Sequence, residues 1–197
     1  MFKPERIAFK EWSLVCEALG NGDQSIILRK GGIHEGAGGF SFQHDRFWLF
    51  PTAFHEQAEL FRYDSMNSES SQQADAPAED ESQGPVQFRF AAELVSTIQL
   101  VDWPQVEVLS EFHHWEPRVL KERFEYEEDR CLWLAIVRVY RAESTWEVPF
   151  HPKFRGCRSW VPVPEEPAVP TGFTPVISDA EFGELTEKIS TVISQAS

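Results

Sequence analysis

The chain has 197 residues, a formal net charge of −14 and 42% hydrophobic residues, which is enough apolar material for one domain with a sizeable core. The acidic balance argues against a broad, sequence-independent grip on nucleic acid, because neutralising phosphates needs Lys and Arg. No run of about 18 apolar residues is present to span a membrane, and the first residues, Met1 to Arg6, lack the apolar stretch of a secretory signal.

Residues 8–19 predict an amphipathic helix, with Ala8, Trp12, Val15, Cys16 and Leu19 at helical spacing and Gly20 as a left-handed stop. Asn21-Gly22 signals a turn, and residues 25–29 a short strand. A glycine-rich loop follows, with Gly31, Gly32, Gly36, Gly38 and Gly39. Residues 46–50 predict a second strand, closed by Pro51-Thr52, with Thr52 capping a helix that buries Phe54, Ala58 and Phe61.

Residues 63–85 read as a disordered acidic insertion. Asp64, Glu69, Asp75, Glu79, Asp80 and Glu81 lie there with no Lys or Arg between them, and Met66 is the one large apolar side chain between Asp64 and Gly84. Such a segment cannot bury enough surface to offset the entropy of ordering it. Residues 86–90 and 97–101 each predict a strand, and residues 104–112 and 117–125 predict short helices with Pro near the start. Residues 131–141 give the strongest strand signal, apolar on both faces over Leu132 to Ile136 and therefore central. A proline-punctuated stretch over 149–175 contains a short strand near 159–163. A terminal helix over 178–194 opens on a capping box of Ser178 and Glu181 and buries Phe182, Leu185, Ile189 and Val192. These elements predict an α+β fold: one domain over residues 1–197, with a small, mostly antiparallel, partly closed sheet flanked by four or five helices.

Several phrases carry a family resemblance. They are Phe9-Lys10-Glu11-Trp12, Leu28-Arg29-Lys30-Gly31-Gly32-Ile33, Phe47-Trp48-Leu49-Phe50-Pro51-Thr52 with His55, Arg123-Phe124, and Gly156-Cys157-Arg158-Ser159-Trp160. In this order they resemble the bacterial domain-of-unknown-function family 1802, over residues 5–165. The resemblance implies little about activity beyond a loose association with restriction-type nuclease neighbourhoods, and so with DNA processing. The chain contains no Asp/Glu-x-Lys, since the residues two before each lysine are Met1, Ala8, Leu28, Val119, His151 and Thr186. A restriction-type nuclease centre is therefore not expected.

Two basic islands stand out on the acidic background. Arg29 and Lys30 leave a strand into Gly31-Gly32, where successive backbone N–H groups can converge on an anion, with His44, Arg46 and His55 as candidate helpers. This loop matches neither the Walker nor the dinucleotide-binding fingerprint. In the second island, Lys153, Arg155 and Arg158 interleave with Phe154 and Trp160, a pairing suited to phosphates and bases. The plainer alternatives are a tight turn for the first island, and a core Trp160 with internally paired cations for the second. The three cysteines, Cys16, Cys131 and Cys157, form no Cys-x-x-Cys pair, which points to a reducing cytoplasm and no cysteine metal site. The spacing of His34, His44 and His55 matches no metal motif, and no cofactor is implied. Three readings remain open: a non-catalytic module for nucleic acid or another phosphate-bearing ligand, a metal- or His-dependent hydrolase, and a protein-partner or structural module.

Overall fold

The structure, a computed structural model, describes residues 2–30, 42–52, 57–62, 84–126, 128–156 and 158–196. In chain order the elements are β1 (Ile7–Trp12), α1 (Ser13–Asn21), β2 (Ile26–Arg29), β3 (Arg46–Thr52), α2 (Gln57–Leu60), β4 (Val86–Leu100), α3 (Trp103–Glu107), α4 (Pro117–Glu125), β5 (Leu132–Val148), β6 (Trp160–Pro162), β7 (Phe173–Pro175) and α5 (Asp179–Gln195). The fold is α+β, with seven strands in one sheet ordered β2-β5-β4-β3-β1-β6 and β7 pairing with β5. All pairings are antiparallel except β1 with β3.

The sheet is open, where a partly closed one is expected from the sequence. No ladder joins β2 at one end to β1 or β6 at the other among the described residues. The end strands β2 and β6 are short, and it is the Arg29 side chain, not a backbone ladder, that reaches from β2 to the Lys10 carbonyl of β1.

The predicted first helix is instead a strand followed by a helix. β1 is buried on both faces, so no polar alternation marks it. Ala8 faces an aromatic cluster with Trp48, Phe88 and Trp146, while Phe9 faces the larger core with Leu19, Phe47 and Leu134. α1 then ends at Gly22, whose φ of 82° makes it the left-handed stop in place of Gly20. Gly20 lies inside the helix, against the Phe90 ring. β3 runs through Pro51 to Thr52, because Pro51 pairs with Glu11 in the parallel ladder. The helix after Thr52 is described only as the single turn α2, and Phe54 lies outside the described residues.

The strands predicted over 86–90 and 97–101 are one strand, β4, with irregularities between Phe88 and Phe90 and between Leu94 and Ser96. These bulges let a long strand bend and switch faces. β5 extends beyond the predicted end to Val148 and forms the longest ladder with β4. Both bonds of the Ser178–Glu181 capping box are made. Residues 63–83, most of the acidic insertion, lie outside the described residues. No helix among the described residues is long and apolar enough to cross a membrane.

Candidate functional site

β1 alternates its side chains about the sheet, so Glu11 points to the same side as Phe9, into the larger core. Its carboxylate is 1% exposed. Oε1 accepts from the Trp12 amide at 2.9 Å, and Oε2 lies 3.7 Å from Arg29 Nη1. Arg29, the last residue of β2, lays its guanidinium on the Phe9 ring, 5.1 Å from the centroid. It also donates to the Lys10 carbonyl at 3.2 Å and to Ser159 Oγ at 3.4 Å.

Arg123 comes from the far end of α4. Its guanidinium sits 4.0 Å from the centroid of Trp115 and 5.2 Å from that of Trp12, and these two indoles meet edge to face at 4.6 Å. Burial pulls its pKa down to about 10; Glu11 opposes that fall and Arg29 adds to it. Among the described residues no carboxylate lies within 4.0 Å of Arg123 and no hydrogen bond satisfies it. Among the described residues two guanidinium groups thus share one carboxylate, which leaves an excess positive charge. Glu11 also helps to push the buried Cys16 thiol well above its ordinary range, behind the larger effect of burial, so this cysteine is no nucleophile.

The sequence-derived candidates divide in the structure. Arg29 and Trp160 lie together: the Trp160 ring packs on Phe9 at 4.7 Å, on Phe47 at 5.0 Å and on His44 at 4.9 Å. Trp160 is therefore largely a core side chain. His44 Nδ1 is 2.9 Å from Glu5 Oε2, and Arg46 is 2.7 Å from Glu93 Oε1. A cleft lined by Lys3, Glu5, Asp45, Arg46, Glu93 and Leu94 takes in the Arg46–Glu93 pair, and its three acids against two cations do not favour an anion.

Lys30 donates to three carbonyls at the end of α4 and the start of β5: Asp129, Phe124 at 3.3 Å and Cys131 at 3.4 Å. It ties the chain together rather than presenting a free ammonium. Lys153, Arg155 and Arg158 are exposed. The turn carrying Lys153 and Arg155 is fastened by Lys10, whose Nζ donates to the Phe154 carbonyl and, at 2.8 Å, to the Gly156 carbonyl. Phe154 belongs to the second cluster, on the opposite side of β1 from Glu11. Ser159 thus meets Arg29 on one side of the sheet, and Phe154 packs on the other. Gly31, Gly32, His34, His55 and Cys157 lie outside the described residues. Among the described residues no group of three His, Cys, Asp or Glu could hold a metal ion.

Four of the phrases that carry the family resemblance contribute a residue to this cluster: Glu11 and Trp12, Arg29, Arg123, and Ser159. The model of the domain of unknown function DUF1802 matches residues 8–188. The chain belongs to that family. The DUF1802 match runs into α5, further than the span of 5–165 read from the motifs. Among solved structures, this DUF1802 chain is similar to ASCH from Zymomonas mobilis, with 10% identity, 81% of this chain and 88% of that chain covered, and a TM-score of 0.44. It is similar also to a mutant form of the Zymomonas mobilis protein, with 11% identity, coverage of 83% and 93%, and a TM-score of 0.43. A search of curated proteins returned no match.

Sequence reasoning missed Glu11 and Arg123 as site residues. Glu11 gave no signal, because residues 8–19 read as one helix and β1 is covered on both faces. Arg123 gave none either, lying in a helix of mixed charge that reads as solvated.

Proposed function

We propose that this protein is a binding module for a phosphate-bearing ligand, with nucleic acid the class that the cationic edge fits. The observation that carries this reading is the contact of Arg29 with Ser159 Oγ at 3.4 Å. It brings the cation at the end of β2 beside the exposed Arg158, on a segment that also presents Lys153 and Arg155. A phosphate chain following this segment meets several cations in succession while the rest of an acidic molecule repels it. Binding of that kind is local, shallow and steeply dependent on salt. Trp160 supports the segment from beneath and is not counted as a stacking platform, since its ring is engaged by Phe9, Phe47 and His44.

The test is titration of a labelled single-stranded oligonucleotide of about 20 nucleotides, by fluorescence anisotropy, over roughly 20 to 200 mM salt. The expected result is an affinity that falls with salt, and a slope shallower by about two when Lys153, Arg155 and Arg158 are together replaced by Ala. Absence of binding at the lowest salt, or a slope untouched by the triple substitution, rejects the reading.

A further inference from the structure

We propose that Arg123, stacked against Trp12 and Trp115 and set beside the Glu11–Arg29 pair, is the seat for a phosphomonoester group. A partly buried guanidinium carries a cost unless a carboxylate or hydrogen-bond acceptor meets it. Arg123 has neither among the described residues, and its two indole contacts offset only part of that cost. The one carboxylate near it among the described residues, Glu11, is already drawn to Arg29 and to the Trp12 amide. One anion placed against Arg123 balances the cluster, and the planar fork of a guanidinium matches two oxygens of a phosphate. The depressed pKa of Arg123 agrees with a positive site short of negative charge.

The two indoles beside Arg123 select the kind of phosphate. An internal phosphodiester carries a sugar on each side and crowds against these rings, whereas a chain end or a free phosphate can turn two oxygens to the guanidinium. Arg29 lies within electrostatic reach of Arg123 and also touches Ser159. A strand whose end occupies the seat can therefore continue past Arg29 onto the edge that carries Arg158. In this form the inference rests on the nucleic-acid reading and adds recognition of a terminal phosphate to it.

The experiment compares one short single-stranded oligonucleotide with a 5′-phosphate and with a 5′-hydroxyl, alongside inorganic phosphate and acetate. Tryptophan fluorescence and thermal shift are the readouts, because Trp12 and Trp115 both touch Arg123. Wild-type protein is expected to prefer the phosphorylated strand by about tenfold, the equivalent of one charge-assisted contact pair. Arg123→Met removes that preference and leaves binding of the hydroxyl strand unchanged, and Glu11→Gln enlarges the stabilisation by inorganic phosphate. The second variant guards against a trivial loss of folding, since a purely structural Arg123 gives no reason for phosphate to stabilise Glu11→Gln more than wild type.

Salt-dependent strand binding with no end preference overturns the seat and leaves the proposed function standing. Phosphate stabilisation that depends on Arg123, without strand binding, keeps the seat, identifies its ligand as a small phosphate and removes the nucleic-acid reading. Acetate acting as strongly as phosphate, with the same dependence on Arg123, overturns the assignment to phosphate.

Discussion

Glu11 on β1 and Arg29 on β2 face one another at 3.7 Å across an open seam, although their strands are not neighbours in the sheet. The same guanidinium reaches the Lys10 carbonyl and Ser159, so one side chain does for the two ends of the sheet what a backbone ladder would do in a closed barrel. Removing the carboxylate takes from two guanidinium groups the counter-charge they share among the described residues. Loss of one member of a buried pair costs about 3 kcal/mol or more. Arg29 is 23% exposed and the separation is long, so the pairwise share of that cost is smaller.

Glu11→Ala is accordingly expected to destabilise the fold by about 3 kcal/mol in urea denaturation, with a double-mutant coupling to Arg29→Met of about 1 kcal/mol. A coupling indistinguishable from zero means that the two groups are stabilised separately and that the seam is held by other contacts.

Lys30 supplies a second latch. Its three carbonyl partners lie at the C-terminal end of α4 and in the turn before β5, where the last carbonyls of a helix lack intrahelical donors. Lys30→Met keeps the aliphatic stem and removes the donors, and about 1 to 2 kcal/mol of stability goes with them. Oligonucleotide affinity, measured well below the new melting transition, is expected to stay within about twofold of wild type, well under one charged contact. A clear loss of affinity in a folded variant would return Lys30 to the binding surface.

The elements legible in the sequence are those whose signals are local. The Ser178–Glu181 box, the Pro117 start of α4 and the apolar run of β5 each need only their own residues to be recognised. β1 failed because its alternation is invisible when both faces are covered, and because Ala8, Trp12, Val15 and Leu19 fall at helical spacing across a strand–helix junction. β4 read as two strands because its bulges shift the phase of the pattern. Arg29 could be singled out from the sequence, since it ends a strand. Glu11 and Arg123 could not be given their roles, because a charge declares itself as buried only when the residues that cover it are known. Trp12 at the end of β1 and Trp115 before α4, against which Arg123 packs, both lie outside its helix.

Gly20 tests how closely α1 approaches the sheet. A Cβ built there would lie 2.2 Å from Cζ of Phe90, and that ring is itself held under the guanidinium of Arg141 at 4.9 Å and of Arg89 at 5.1 Å. The intrinsic helix preference for Ala over Gly, about 1 kcal/mol, acts in the opposite direction. Overpacking a filled site costs about 1 to 3 kcal/mol, so Gly20→Ala is expected to lower stability on balance. A melting temperature unchanged or raised would show that the Phe90 ring moves aside freely.

His113 makes stability depend on pH. Its side chain is buried, with Nδ1 accepting from the Trp115 amide at 3.1 Å, which requires an unprotonated nitrogen. Burial is the main cause that lowers its pKa to about 4, with Arg62 and His114 adding repulsion. The unfolded chain takes up the proton near pH 6.5 and the folded chain does not until about pH 4. Protonation therefore favours the unfolded state as pH falls through that window, and stability is lost on acidification rather than gained. Between pH 7 and pH 5 the loss from this one group is about 2 kcal/mol. His113→Asn keeps an acceptor near the Trp115 amide and has nothing to titrate. Urea midpoints measured at both pH values are expected to diverge by that amount between wild type and variant. Parallel pH profiles would mean that His113 takes its proton in the folded chain as readily as in the unfolded one.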